Sequence, residues 1–199
     1  MSSQHQHFEK LYLQSSDPWR VGVDWYERRK RNLLLACLPR EQYQHALEAG
    51  CGNGHLSVEL LQRCTRLTAV DFSARAIALC SARIRAEQRD LIQLETVDLP
   101  VQWPPIPEGG FDLIVVSEIA YYFDAEALSL FYRQCLNSLR EEGHLLWCHW
   151  RHAMPDRLQP TDALHAYLDD VPQLRSLVRH VEGDFLMNIW ELISQSENS

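Results

Sequence analysis

The sequence predicts a doubly wound α/β fold. Three observations predict it. Short apolar runs alternate with amphipathic helical patterns between about residues 45 and 150. A glycine-rich stretch, Gly50-Cys51-Gly52-Asn53-Gly54, joins the first of these runs to the first of these helices. Acids stand at or beside the ends of the first three runs, at Glu48, Asp71 and Asp98. Strand–helix alternation implies parallel strands joined by right-handed crossovers. In such sheets ligands gather at the carboxyl edge, where the three acids belong.

The 199 residues fit a single domain, with three parts in chain order. Residues 1–40 form a helical lid, 41–150 a core, and 151–199 a substrate-side helix and edge strands. The N-terminus MSSQHQHFEK is polar, and His5 and His7 are expected in a mobile tail. Ser15-Ser16-Asp17-Pro18 reads as a turn. A helix follows from Asp24 to Leu38, with Asp24 as N-cap and Glu27 completing a capping-box-like pair.

Five runs, at about 45–50, 67–71, 92–98, 111–117 and 144–149, are the core strands. Residues 55–64, 74–89 and 125–140 repeat apolar side chains at three- and four-residue steps, the amphipathic-helix signal. The stretch PVQWPPIP at 100–107 is an irregular loop. A short helix over 161–170, capped by Thr161, precedes two strands, 176–182 and 185–193, around the turn pair Gly183-Asp184. The sum is a Rossmann-like, mostly parallel seven-stranded sheet with an antiparallel C-terminal edge.

Composition narrows the function classes. Hydrophobic residues make up 46% and charged residues 23%, as in a globular protein. Nineteen basic and 27 acidic residues leave a net charge of −8, which disfavours a nucleic-acid partner. No apolar run is long enough for a bilayer, so no membrane association is expected. The N-terminus lacks a signal-peptide core, and the six cysteines form no CxxC pair, so reduced thiols in a cytoplasmic protein are expected. Nine histidines have no companion ligand set, so no metal is expected.

Three alternate glycines allow a sharp turn and close approach of a ligand to the backbone. Neither frame of the dinucleotide fingerprint fits. From Gly50 the third glycine falls on His55, and from Gly52 it falls on Ser57. Glu48 would repel a phosphate and favour a cation or a hydroxyl. Asp71, about 20 residues past the loop, is placed to accept hydrogen bonds from ribose hydroxyls.

The stretch from Glu48 to Gly54, Asp71 with Ser73, Asp98, and the strand FDLIVVSE at 111–118 resemble class I S-adenosylmethionine-dependent methyltransferases. Ser16-Asp17-Pro18-Trp19, Trp25 to Lys30 and Leu38-Pro39 are similar to the nodulation protein S type. Members of that type N-methylate the deacetylated glucosamine end of a chitooligosaccharide. The resemblance implies S-adenosyl-L-methionine as cofactor. Gly50, Gly52 and Gly54 would bound its methionine moiety, and Glu48 would face the sulfonium and amino group. Asp71 would hold the ribose, Asp98 and Leu99 the adenine edge, and Phe72 would pack on the ring.

Trp19, Trp25 and Tyr26 suit either core packing or a lid over the cofactor. Arg29, in the basic run Arg28 to Arg31, is the expected partner of the cofactor carboxylate, whose geometry a guanidinium matches. Ser117 is counted with the cofactor contacts. Glu118, Tyr122 and His149 are the candidate catalytic residues, beside Tyr121. Glu118 can accept a proton or hydrogen bond from an amine, the tyrosines can stack on a sugar, and His149 has a near-neutral ordinary pKa. The expected substrate is a small molecule or an oligosaccharide carrying an amine. Methylation of oxygen or a carboxyl group, or cofactor binding without catalysis, stays open, as does the choice between monomer and dimer.

Overall fold

The computed structural model describes residues 3–194. It contains a seven-stranded sheet, with the strands numbered along the chain: β1 Tyr43–Ala49, β2 Cys64–Asp71, β3 Ile92–Thr96, β4 Phe111–Ser117, β5 Leu139–Trp150, β6 Leu174–Val181 and β7 Phe185–Leu192. Their order in the sheet is β3-β2-β1-β4-β5-β7-β6. The chain divides into two compact units, Met1–Pro104 and Pro105–Ser199.

In the first unit, β1, β2 and β3 pair in parallel. The helices are α1 Ser3–Gln14, α2 Trp25–Cys37, α3 His55–Leu60 and α4 Ala74–Arg83. Helix α1 replaces the tail expected around His5 and His7. Phe8, Leu11 and Tyr12 fall at three- and four-residue steps, and Phe8 and Tyr12 are buried. Asp24 is the N-cap of α2 by position, but its carboxylate takes Arg20 Nε at 2.9 Å and makes no cap bond. Glu27 pairs with Lys30 instead of closing a capping box. Helix α3 ends early because the chain turns into β2 at Cys64, seven residues before Asp71. Arg63 then donates to the carbonyls of Leu35 in α2 and of Arg40 and Glu41 in the loop after it, at 2.6–2.9 Å. Helix α4 starts at Ser73, whose hydroxyl accepts from Ala76 N–H at 3.2 Å. Its expected continuation to residue 89 becomes a 3-10 turn at Ala86–Leu91.

In the second unit β4 and β5 are parallel, while β7 pairs antiparallel with both β5 and β6. Six consecutive residues of β4 are buried, as suits a strand covered on both faces. Strand β6 exposes Arg175, Ser176 and Arg179, as suits a sheet edge. Helix α5 (Ala125–Ser138) is capped by Asp124, which accepts from Ala127 N–H at 2.9 Å. Helix α6 spans Thr161–Asp169. Pro160 is its N-cap, so Thr161 is the first helical residue; its hydroxyl donates to the Trp150 carbonyl. A stack of Trp147, Tyr132 and Tyr167, with centroids 5.1 and 4.4 Å apart, joins β5, α5 and α6.

All six cysteines are free, and all but Cys37 are buried. Among the described residues no helix is long and apolar enough to cross a membrane, and no three His, Cys, Asp or Glu side chains group as metal ligands.

Candidate functional site

The glycine loop leaves β1 and folds back on β2. Gly50 and Cys51 donate their N–H groups to the Val70 carbonyl, both at 2.9 Å. Gly52 has φ 54°, and a β-carbon there would stand 3.1 Å from the Tyr12 hydroxyl. Gly54 caps α3 at φ 82°, and a β-carbon would meet the Cα of Cys80 at 2.8 Å. Only glycine satisfies both conditions at Gly54.

Asp71 closes this loop. Its carboxylate accepts from Gly52 N–H at 3.0 Å and Ser73 N–H at 2.9 Å. Burial pushes its pKa up to about 6 against the pull of those two bonds. Glu48 is only 3% exposed and accepts from the Ser57 hydroxyl at 2.6 Å. Burial drives its carboxyl well above the ordinary range, with added repulsion from Cys80 and Asp71. A buried acid of this kind gains most from a nearby cation.

Beyond the loop, Phe72 and Asp98 meet the same side chain. The His5 ring lies flat on Phe72, with centroids 4.4 Å apart and planes 9° apart, and its Nε2 is 3.1 Å from the Asp98 carboxylate. These three residues line a cavity of about 400 Å³ with Glu9 and Ala74, within the range of small-molecule sites. Leu99 is half-buried next to them.

Trp19 is 43% exposed and lies edge-on to Tyr12 at 5.5 Å, so it caps the N-terminal helix rather than a core. Trp25 is 69% exposed, so the packing that its size suggests does not form. In the basic run the buried cation is Lys30, ion-paired to Glu27 at 3.1 Å, while Arg29 is half-buried. The segment before α2 is fastened by Asn53, whose amide donates to the Ser16 carbonyl at 3.0 Å and to Asp17 at 3.2 Å. Asp17 in turn accepts from the N–H groups of Val21 and Gly22, both at 2.9 Å.

The second unit presents its own acid. Ser117 ends β4 half-buried, and Glu118 follows at φ 61°, a strained conformation for a side chain of its size. One carboxylate oxygen of Glu118 accepts from the Tyr121 hydroxyl at 2.6 Å and from Trp150 N–H at 2.9 Å. Burial, and then the Glu118 charge, push the Tyr121 phenol well above its ordinary value, so it stays a donor. Tyr122, half-buried, meets Tyr121 edge-on at 4.6 Å, and burial pushes it up to about 12. The Arg157 guanidinium lies 4.8 Å over the Tyr121 ring.

His149 is fully buried. Its Nε2 accepts from Ala120 N–H at 3.3 Å, and its Nδ1 is 3.0 Å from His165 Nε2. The base expected at this position is therefore a ring with both nitrogens engaged inside the protein. His165 and Asn188, which complete the contact, carry no motif and were not expected. Nor were His5 and Tyr12, although the spacing of Phe8, Leu11 and Tyr12 was a signal for α1.

The family model of nodulation protein S (NodS) matches residues 2–174, and the chain belongs to that family. Nodulation protein S of Sinorhizobium fredii is 30% identical over 143 residues, which cover 68% of this chain and 61% of that protein. The chain thus matches about three-fifths of the length of that relative. A crystal structure of a Pseudomonas syringae protein assigned as a methyltransferase is 41% identical, with a TM-score of 0.68, covering 84% of this chain and 99% of that one. The N-methyltransferase NodS of Bradyrhizobium japonicum, crystallised with S-adenosyl-L-homocysteine, superposes with a TM-score of 0.83 at 24% identity, over 96% of this chain and 99% of that one. At that identity the last likeness speaks for the fold.

Proposed function

We propose that this member of the nodulation protein S family is an S-adenosylmethionine-dependent methyltransferase acting on the nitrogen of a small amine or amino sugar. The observation that carries the nitrogen assignment is the Glu118 carboxylate, fixed at the end of β4 by Tyr121 and Trp150.

The residues of the first unit fit the cofactor. Three acids suit a ligand with one sulfonium, one ammonium and two ribose hydroxyls. The His5 ring, flat on Phe72 and 3.1 Å from Asp98, supports a planar nitrogen heterocycle as the occupant of that place. Glu48 would face the positive end, Asp71 the ribose, Asp98 and Leu99 the adenine edge, and Gly50, Gly52 and Gly54 the methionine moiety. Trp19 would cover the donor, with Arg29 toward its carboxylate. The cofactor supplies an electrophilic methyl group.

The chain supplies positioning, which can account for much of the rate of a displacement. Glu118 attracts a cationic acceptor and accepts a hydrogen bond from its nitrogen, orienting the lone pair once the amine is neutral. Tyr122 offers an aromatic face and a phenol that stays protonated at neutral pH. The curated and crystallised relatives named as N-methyltransferase or nodulation protein S support this reading.

Incubation with methyl-labelled cofactor and a panel of amines, amino sugars, hydroxyl compounds and carboxylic acids tests it. Label on nitrogen is expected. Label transferred only to oxygen overturns the acceptor assignment.

A further inference from the structure

The turn that follows β4 is held from behind by three buried polar side chains: His149 of β5, His165 of α6 and Asn188 of β7. Contacts at 3.3, 3.0 and 3.1 Å link Ala120 N, His149, His165 and Asn188 in series. Side-chain amides and imidazoles can normally run such a chain in either direction. Here one end is a backbone N–H, which can only donate. Its direction settles every later proton. His149 Nε2 accepts from Ala120, so its proton sits on Nδ1. That proton goes to His165 Nε2, so the His165 proton also sits on Nδ1. It goes in turn to Asn188 Oδ1.

The alternative direction would turn Asn188 around, put a proton on His149 Nε2 and set it against the Ala120 N–H. The direction that Ala120 sets has a cost, because Asn188 Nδ2 is buried without a hydrogen-bond partner.

We infer that His149, His165 and Asn188 are positioning residues: a neutral, proton-ordered chain that fixes the Ala120 amide and thereby the Glu118–Tyr122 turn that aims Glu118 at its acceptor. The catalytic part of this inference rests on the function proposed above; the proton order does not. The turn has reason to need an anchor, since Glu118 is strained at φ 61°. The anchor must also stay neutral. A second proton on His165 would face the His149 Nδ1–H at 3.0 Å, and one on His149 would face the Ala120 N–H at 3.3 Å, two donors opposed in either case. Burial, with Arg179 of β6, lowers the His165 pKa to about 4 against the opposing pull of Asn188 and of Asp169 and Asp162 of α6.

Nitrogen NMR of the imidazole rings in the intact protein is the primary test. Both His149 and His165 are expected as the Nδ1–H tautomer, the rarer one for free histidine, with no titration near pH 6.5. An Nε2–H tautomer at either ring, or protonation near neutrality, overturns the chain. His149→Gln keeps an acceptor for Ala120, whereas His149→Leu keeps bulk and loses it. Ala120 amide-exchange protection should survive in the first variant and fall in the second. With the acceptor identified in the labelling panel, His149→Leu should lower kcat about 10- to 100-fold, His149→Gln should recover most of it, and cofactor affinity should be unchanged in both. Equal kcat in the two variants overturns the positioning role. If label appears only on oxygen, the tautomer and exchange results still decide the chain by themselves.

Discussion

Asp71 and Glu118 occupy corresponding places, one at the end of β2 and the other just past β4, yet they are held by different means. Asp71 takes two backbone N–H groups, from Gly52 and Ser73, both in turns written by their own residues. Glu118 takes a phenol from Tyr121 and an amide from Trp150, 32 positions away. The turn behind it is secured by side chains still further along the chain, at 149, 165 and 188. Backbone donors in a tight loop make a site that tolerates little variation. One phenol and one distant backbone N–H, with side chains from three elements behind the turn, make one that can be retuned by exchanging single residues. In the function proposed above, the methyl donor would meet the residues held by turns and the acceptor the residues held from several elements.

The largest expected effect breaks the acceptor side alone. Glu118→Gln keeps the shape and removes the charge that draws and orients the amine. Turnover should fall about 10²-fold or more, with S-adenosyl-L-homocysteine affinity by calorimetry unchanged. A matching loss of affinity would mean that the two acids do not serve separate ligands.

Asp71→Ala breaks the donor side. Hydrogen bonds to a charged group contribute about 1.5–3 kcal/mol, so affinity for the same ligand should fall roughly 10- to 100-fold by that measure. The pH dependence sharpens this. Burial raises the Asp71 pKa to about 6 in the free protein. Ribose hydroxyls favour the ionised form, so the pKa in the complex lies lower. Binding therefore strengthens as pH rises toward 6 and levels off above it. A calorimetric pH series should show that rise, and Asp71→Asn should abolish it.

The smallest effect concerns His5, which covers Phe72 and Asp98. Removing one stacked ring changes an affinity by about 0.5–1.5 kcal/mol. His5→Ala should strengthen S-adenosyl-L-homocysteine binding by roughly 2- to 10-fold, because the adenine no longer displaces a ring. A weaker complex would instead make His5 part of the bound site.

The strands were legible because their residues carry local signals. The run FDLIVVS at Phe111–Ser117 is apolar almost throughout, as a strand buried on both faces must be. The hairpin around Gly183-Asp184 was legible from its turn pair. Helix α1 was not, because its polar and charged residues outweigh Phe8, Leu11 and Tyr12, and it is packing that makes those three decisive. The capping pair expected at Asp24 and Glu27 failed for a similar reason. Arg20 and Lys30 stood close enough to claim both carboxylates.

By itself the sequence determined the order of the strands and of the helices from α2 onward, the positions of the glycines, and the acids at or just past the strand ends. Each of these depends on neighbours a few residues away, through side-chain periodicity, turn conformation and the absence of a β-carbon. The tertiary structure alone decided what each polar side chain faces. It engaged both ring nitrogens of His149, with Ala120 and His165, and placed the His5 ring on Phe72. Those outcomes turn on contacts between residues far apart in the chain. Burial makes such a contact strong, and sequence spacing carries no record of it.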